Sequence, residues 1–109
     1  MLPELAKTIG KKGQLNLPLG GSPLRFEVVD EIRQKQRSFL TPMEPTEGKV
    51  IVLQKLLFEN GMTEFRLGYY ITGKKPRSLG KWVWGQFASM IPPDDFKAVI
   101  EKARAEGWV

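Results

Sequence analysis

The sequence predicts an α+β domain: an antiparallel sheet of roughly four to five strands with one C-terminal helix packed on one face. Three observations predict it. Apolar and polar residues alternate with period two along much of the chain between Leu24 and Ala88. Asn60-Gly61 separates two such runs as a hairpin signal. Helical spacing of apolar residues begins only after Pro92-Pro93. With 109 residues and no cysteine, the chain is one domain that builds its core from packing alone.

Residues 1–23 read as an N-terminal arm. Gly10, Gly13, Gly20 and Gly21, together with Pro3, Pro18 and Pro23, rule out a long helix or strand there. Pro3 suits a first helical position, so a short helical turn over Pro3 to Ile9 is expected. Leu15, Leu17 and Leu19 point to an arm that packs on something; a partly ordered extension is the other reading. Residues 24–109 form the α+β domain. From Leu24 to Ile32 the pattern is that of a half-buried strand. Phe26, Val28 and Ile32 share one face, while Arg25, Glu27, Glu31 and Arg33 mostly take the other. A short second strand near Arg37 to Leu40 follows, and then a loop in the breaker-rich segment 41–48.

Lys49 to Glu59 is β-branched at its start and apolar on both faces for part of its length, as a central strand is. Asn60-Gly61 turns the chain, since both residues tolerate positive φ, and Met62 to Thr72 returns. Thr63, Phe65, Leu67, Tyr69 and Ile71 form its apolar face; Glu64, Arg66, Gly68, Tyr70 and Thr72 form a more polar one. Gly73 to Gly80 is a cationic loop. Lys81 to Ala88 alternates again, with Val83 and Phe87 on one face and Trp82, Trp84 and Gln86 on the other. Pro92 and Pro93 open a helix that runs to about Glu106, with Asp94 and Asp95 in the first turn, where the macrodipole favours anions. Phe96, Val99, Ile100 and Ala103 make its apolar stripe. Gly107 caps the helix, and Trp108 folds back on the stripe.

Charge is unevenly placed. The window from Phe65 to Pro93 holds Arg66, Lys74, Lys75, Arg77 and Lys81 and no acid, so it carries the whole formal net charge of +5. Tyr69, Tyr70, Trp82, Trp84 and Phe87 fall in the same window. Cations interleaved with flat rings suit a polyanion with π-faces, of which nucleic acid is the commonest. Alternation puts Arg66, Tyr70, Trp82 and Trp84 on one sheet face beside the loop cations Lys74, Lys75 and Arg77, with Lys81 next to them. Two readings of that face stand. It is a stacking platform for bases with phosphates on the cations, or it is structural, buried in a homodimer or in an interface with a foreign protein.

Absences narrow the chemistry further. Without histidine or cysteine the commonest general base, the commonest metal ligand and the thiol nucleophile are gone. Asp94, Asp95, Glu101 and Glu106 belong to the helix, Glu44 and Glu47 to a proline-rich loop, and the other acids alternate on strands. No catalytic residue, metal ligand or cofactor is assigned, and the chain reads as a non-enzyme. The open route to catalysis is convergence of Glu27, Glu59 and Glu64 across neighbouring strands, as a carboxylate nuclease site requires. Gly68 to Lys74 has phosphate-loop spacing, but Lys75 stands where Ser or Thr must hold magnesium. The start of the chain lacks a secretory pattern, and the aliphatic run Val50 to Leu53 is far too short to cross a bilayer, so a cytoplasmic protein is expected.

Gly68-Tyr69-Tyr70, the basic loop Lys74, Lys75 and Arg77, and Ile91-Pro-Pro-Asp-Asp-Phe96 together carry a resemblance. Over residues 49–105 their order resembles the single-stranded-DNA-binding domain of the positive-cofactor-type transcriptional coactivators. That family has a curved antiparallel sheet followed by one C-terminal helix, and its subunits pair to form binding channels. The resemblance implies non-catalytic binding of single-stranded nucleic acid, DNA favoured over RNA, by a homodimer. Trp82-Val83-Trp84 in the last strand departs from the family's pattern, and the leucine-rich arm has no counterpart in it.

Overall fold

Alternating residues become strands where the alternation is predicted to lie. The computed structural model describes residues 4–17, 19–36, 48–72, 81–85 and 91–109. Among them are strands β1 (Lys12–Leu15), β2 (Leu24–Lys35), β3 (Lys49–Phe58), β4 (Thr63–Thr72) and β5 (Trp82–Trp84), and helix α1 (Pro93–Ala105). The strands form one antiparallel sheet in the order β1-β2-β3-β4-β5, curled into a half-barrel, so the domain is α+β. Segment 37–40, predicted as a strand, loop residues 73–80, and Gln86 and Phe87 lie outside the described residues.

The β3–β4 turn is one residue longer than the two-residue loop that the Asn-Gly pair suggests. Gly61 has φ +86°, while no non-glycine residue among those described has positive φ. The Gly61 N–H donates to the Phe58 carbonyl and the Phe58 N–H to the Met62 carbonyl, at 2.9 and 2.8 Å. This is a type I turn closed by a glycine bulge, with only Gly61 left-handed. The Asn60 side-chain oxygen accepts from the Met62 N–H at 3.0 Å and holds the turn from inside.

A β-bulge decides which side chains face where. β2 pairs Val28 with Leu56 but Asp30 with Lys55, leaving Val29 as the extra residue. Parity reverses there. Phe26 and Val28 lie on one face with Leu56 and Phe58, and Ile32 passes to the other, opposite Leu53. Glu31 and Arg33, expected away from Phe26, join its face instead. The predicted grouping of Phe26, Val28 and Ile32 is therefore corrected: strict alternation holds only where no residue is inserted.

The helix lies across β2 on the Ile32 side. Its predicted stripe is rotated. Val99 and Ala103 are buried as expected, but Phe96 is 46% exposed and Asp95 is buried in its place. Gln34 makes the difference: its Nε2 donates to Asp95 Oδ1 at 3.2 Å, and its Oε1 accepts from Lys102 Nζ at 2.6 Å. A polar clamp on β2 thus sets the helix roll. At its far end, Gly107 (φ +77°) lets Trp108 N–H reach the Ala103 carbonyl while its own N–H reaches that of Arg104. Trp108 then stacks on Phe65 of β4 rather than on the helix stripe, with ring centroids 5.4 Å apart.

The arm is also corrected. Residues 4–9 contain no helix; β1 follows and pairs with β2 along the sheet edge. Leu15, Leu17 and Leu19 are exposed, and among the described residues of the arm the buried one is Thr8. Burial of Val28, Ile51, Val52 and Val99 supplies about 1.5–3 kcal/mol per side chain toward the fold. No helix among the described residues is long and apolar enough to cross a membrane.

Candidate functional site

Opposite the helix, the sheet presents Phe26, Gln54, Arg66, Gly68, Tyr70, Trp82 and Trp84 on one face. The register fixes this, because Gln54 pairs with Arg66, Tyr70 with Trp84 and Thr72 with Trp82. Arg66 is its centre. The guanidinium carbon lies 5.1 Å from the Phe26 ring centroid and 5.0 Å from that of Trp84, so two rings from β2 and β5 clasp a cation from β4. Arg66 Nε donates to Gln54 Oε1 at 2.8 Å. Burial pushes the Arg66 pKa below the ordinary arginine value, with Tyr70 acting the other way. An arginine starts so high that the group stays cationic at neutral pH.

Around this cation lies a cleft of about 220 Å³. Lys11, Lys12 and Gly13 supply one rim, Phe26 and Trp84 the walls, and Val28, Gln54 and Tyr70 the remaining lining. Among the described residues no carboxylate lines it. Lys11 Nζ sits 5.8 Å from the Tyr70 ring centroid, bringing a second charge over the opening.

The arm closes one side of the cleft. Thr8 donates its hydroxyl to Glu31 Oε2 and its N–H to the same oxygen at 3.1 Å, and it accepts from Gln54 Nε2 at 3.1 Å. Gln54 therefore links the arm to Arg66 through its two ends. Arg33 donates to the carbonyls of Leu5 and Ala6 and lies 3.1 Å from Glu31 Oε1. The Gly10 N–H and the Lys11 carbonyl meanwhile take the Val28 carbonyl and N–H, each at 2.8 Å. Both backbone groups of Val28, at the start of the bulge, are thus satisfied by the arm rather than by a neighbouring strand.

The sequence-predicted site residues divide into three groups. Arg66, Tyr70 and Trp84 meet around the cleft. Trp82 shares their face and is half-buried, while Lys81 is exposed just before β5. Lys74, Lys75 and Arg77 lie outside the described residues. Tyr70 is not an open stacking surface: it is 9% exposed and packs edge-on to Trp84, centroids 5.1 Å apart. Curling of the sheet turns the expected flat platform into walls around a cation.

Lys11, Lys12, Phe26 and Gln54 belong to the site and were not singled out by sequence. Gln54 had a signal, an uncharged polar residue inside the apolar run of a central strand, where burial demands hydrogen-bond partners. Lys11-Lys12 between Gly10 and Gly13 had a weaker one. Glu27, Glu59 and Glu64 do not converge as a nuclease would need. Glu27 pairs with Leu57 and Glu64 with Leu56, which puts them on opposite faces of the sheet, and Glu59 Oε1 accepts from the Arg25 N–H at 3.2 Å. Among the described residues no group of three or more acids gathers to hold a metal.

Compared with known proteins, the chain matches no family model, no curated protein and no solved structure.

Proposed function

We propose that this protein binds single-stranded nucleic acid without catalysing a reaction on it. The observation that carries the reading is the state of Arg66. It is a half-buried cation held between two aromatic rings, with a neutral amide as its hydrogen-bond partner and, among the described residues, no carboxylate paired with it. Bringing such a charge out of water costs free energy that an ion pair would normally offset. An incoming anion supplies the missing partner. Lys11, Lys12 and the exposed Lys81 extend the same positive field, and the loop cations Lys74, Lys75 and Arg77 adjoin it in sequence. The half-buried Trp82 supplies an aromatic surface beside them for a base. DNA is favoured over RNA through the coactivator-like order of residues 49–105, and a cytoplasmic location goes with this reading.

Fluorescence anisotropy with a labelled single-stranded oligonucleotide, at low and then at raised salt, tests it. Binding that falls steeply with salt is expected, because neutralised phosphates release counterions. Absence of any anisotropy change at low salt removes the reading.

A protein-binding role has its own supporting observation on the other face. Leu57, Met62, Phe65 and Leu67 of the β3–β4 hairpin are all exposed, where the helix covers β2 instead. Exposed apolar clusters of this kind mark interaction surfaces, and self-association into a homodimer is the simplest use of it.

A further inference from the structure

We propose that the Arg66 cleft is a site for a phosphate monoester, and that the protein takes hold of a strand by its phosphorylated end. The second half rests on the single-strand reading above; the first stands on the cleft's own geometry.

Arg66 is prepared for an oxyanion. Its Nε is occupied by Gln54, and its terminal amino groups have no acceptor among the described residues. The rings of Phe26 and Trp84 restrain the guanidinium, and Gln54 fixes its rotation about the remaining axis. A guanidinium fork held this way presents parallel N–H groups, the geometry that phosphate oxygens accept best.

Charge selects the kind of phosphate. Two cationic side chains, Lys11 and Arg66, face the cleft, and no acid lines it among the described residues. The nearby Glu31 is already spent on Thr8 and Arg33. A phosphodiester inside a strand brings one negative charge, whereas a monoester brings about 1.5–2 at neutral pH and has three free oxygens. The monoester matches the excess of positive charge better.

Shape selects the end over the middle of a strand. On the arm side the cleft is backed by Gln54, which is almost wholly buried and tied to the buried Thr8 behind it. A chain passing through would need a second mouth there. At about 220 Å³ the space is also smaller than the roughly 300–1,000 Å³ of sites for drug-sized ligands. It suits a terminal group, not a run of nucleotides.

The test uses the full chain and deoxythymidine strands about ten nucleotides long, within the site sizes of single-strand binders. One carries a 5′-phosphate, one a 3′-phosphate and one hydroxyls at both ends; thymidine monophosphate is titrated separately. Tryptophan fluorescence follows all four at fixed salt. The expected result is that one phosphorylated strand binds about tenfold tighter or better than the hydroxyl-ended one, and that Arg66→Gln removes the difference. Lys11→Ala with Lys12→Ala, at exposed positions that leave the core intact, should reduce it as well. Circular dichroism checks that each variant folds. If no strand binds but the monophosphate does and Arg66→Gln abolishes it, the monoester site stands and the strand reading fails. Equal binding of all three strands, with no binding of the monophosphate, overturns the proposal and leaves single-strand binding standing. No binding of any probe overturns both.

Discussion

The indole of Trp84 rests on the backbone of Gly68, where a β-carbon would come within 2.3 Å of the ring. Phe26 rests likewise on Gly13, at 2.5 Å. These two rings are the walls that clasp Arg66, so each wall of the cleft is seated on a glycine of a neighbouring strand. Glycine in a strand interior weakens it; here its lack of a side chain is what lets the ring settle against the sheet.

Gly68→Ala is therefore expected to push Trp84 off its seat. Overpacking of this kind costs about 1–3 kcal/mol, read as a lowered denaturation midpoint. Tryptophan emission should shift to the red as Trp84 gains water. A variant with unchanged stability and unchanged emission would show that the ring does not depend on Gly68.

Arg66→Lys keeps the charge but not the planar fork between the rings. Affinity for single-stranded oligonucleotide should fall, while the salt slope should stay nearly constant because the charge count is conserved. Arg66→Gln should lower both. Equal affinity for wild type and both variants would take Arg66 out of the interface.

Gln54→Leu removes the link between Thr8 and Arg66. Leaving buried partners unsatisfied should cost about 1–3 kcal/mol. Because Thr8 loses one of its anchors, amide exchange over residues 4–11 should quicken more than that of β3 itself. Uniform quickening across the sheet would mean that Gln54 supports the core and not the arm.

Replacing Lys74, Lys75 and Arg77 together by Ser tests the contribution of the loop. Binding should weaken across all strand sequences, and the logarithmic salt slope should shrink by about 2, the value for three phosphate contacts on a single strand. An unchanged slope would confine the interface to the cleft and its rim.

Phe65→Ser with Leu67→Ser addresses the hairpin surface. If it mediates self-association, light scattering should show a mass that rises with concentration in the wild type and stays monomeric in the variant. Oligonucleotide binding, proposed for the opposite face, should survive. A wild type that is monomeric at all concentrations removes the homodimer from consideration.

Local chemistry carried much of the fold into the sequence. Period-two alternation marks β4 and β5 and assigns Arg66, Tyr70, Trp82 and Trp84 to one face, because successive side chains in a strand must point oppositely. Pro93 at a first helical position, and Gly107 at the only place where a left-handed residue ends the helix, bound α1 within a residue or so of expectation. These signals need no distant partner.

What depended on partners was decided by tertiary structure. The inserted Val29 reverses the faces of β2, and nothing in the order Val28-Val29-Asp30 announces it without the register against β3. The helix roll follows from Gln34 meeting Asp95 and Lys102, 61 and 68 residues away in sequence. Lys11 and Phe26 come to the Arg66 cleft only because the arm pairs with β2 and the sheet curls. Side-chain type and spacing determine which way a residue points within its own strand. Which residues then converge on a cleft depends on pairings between distant segments, and those are settled by the packing of the whole chain.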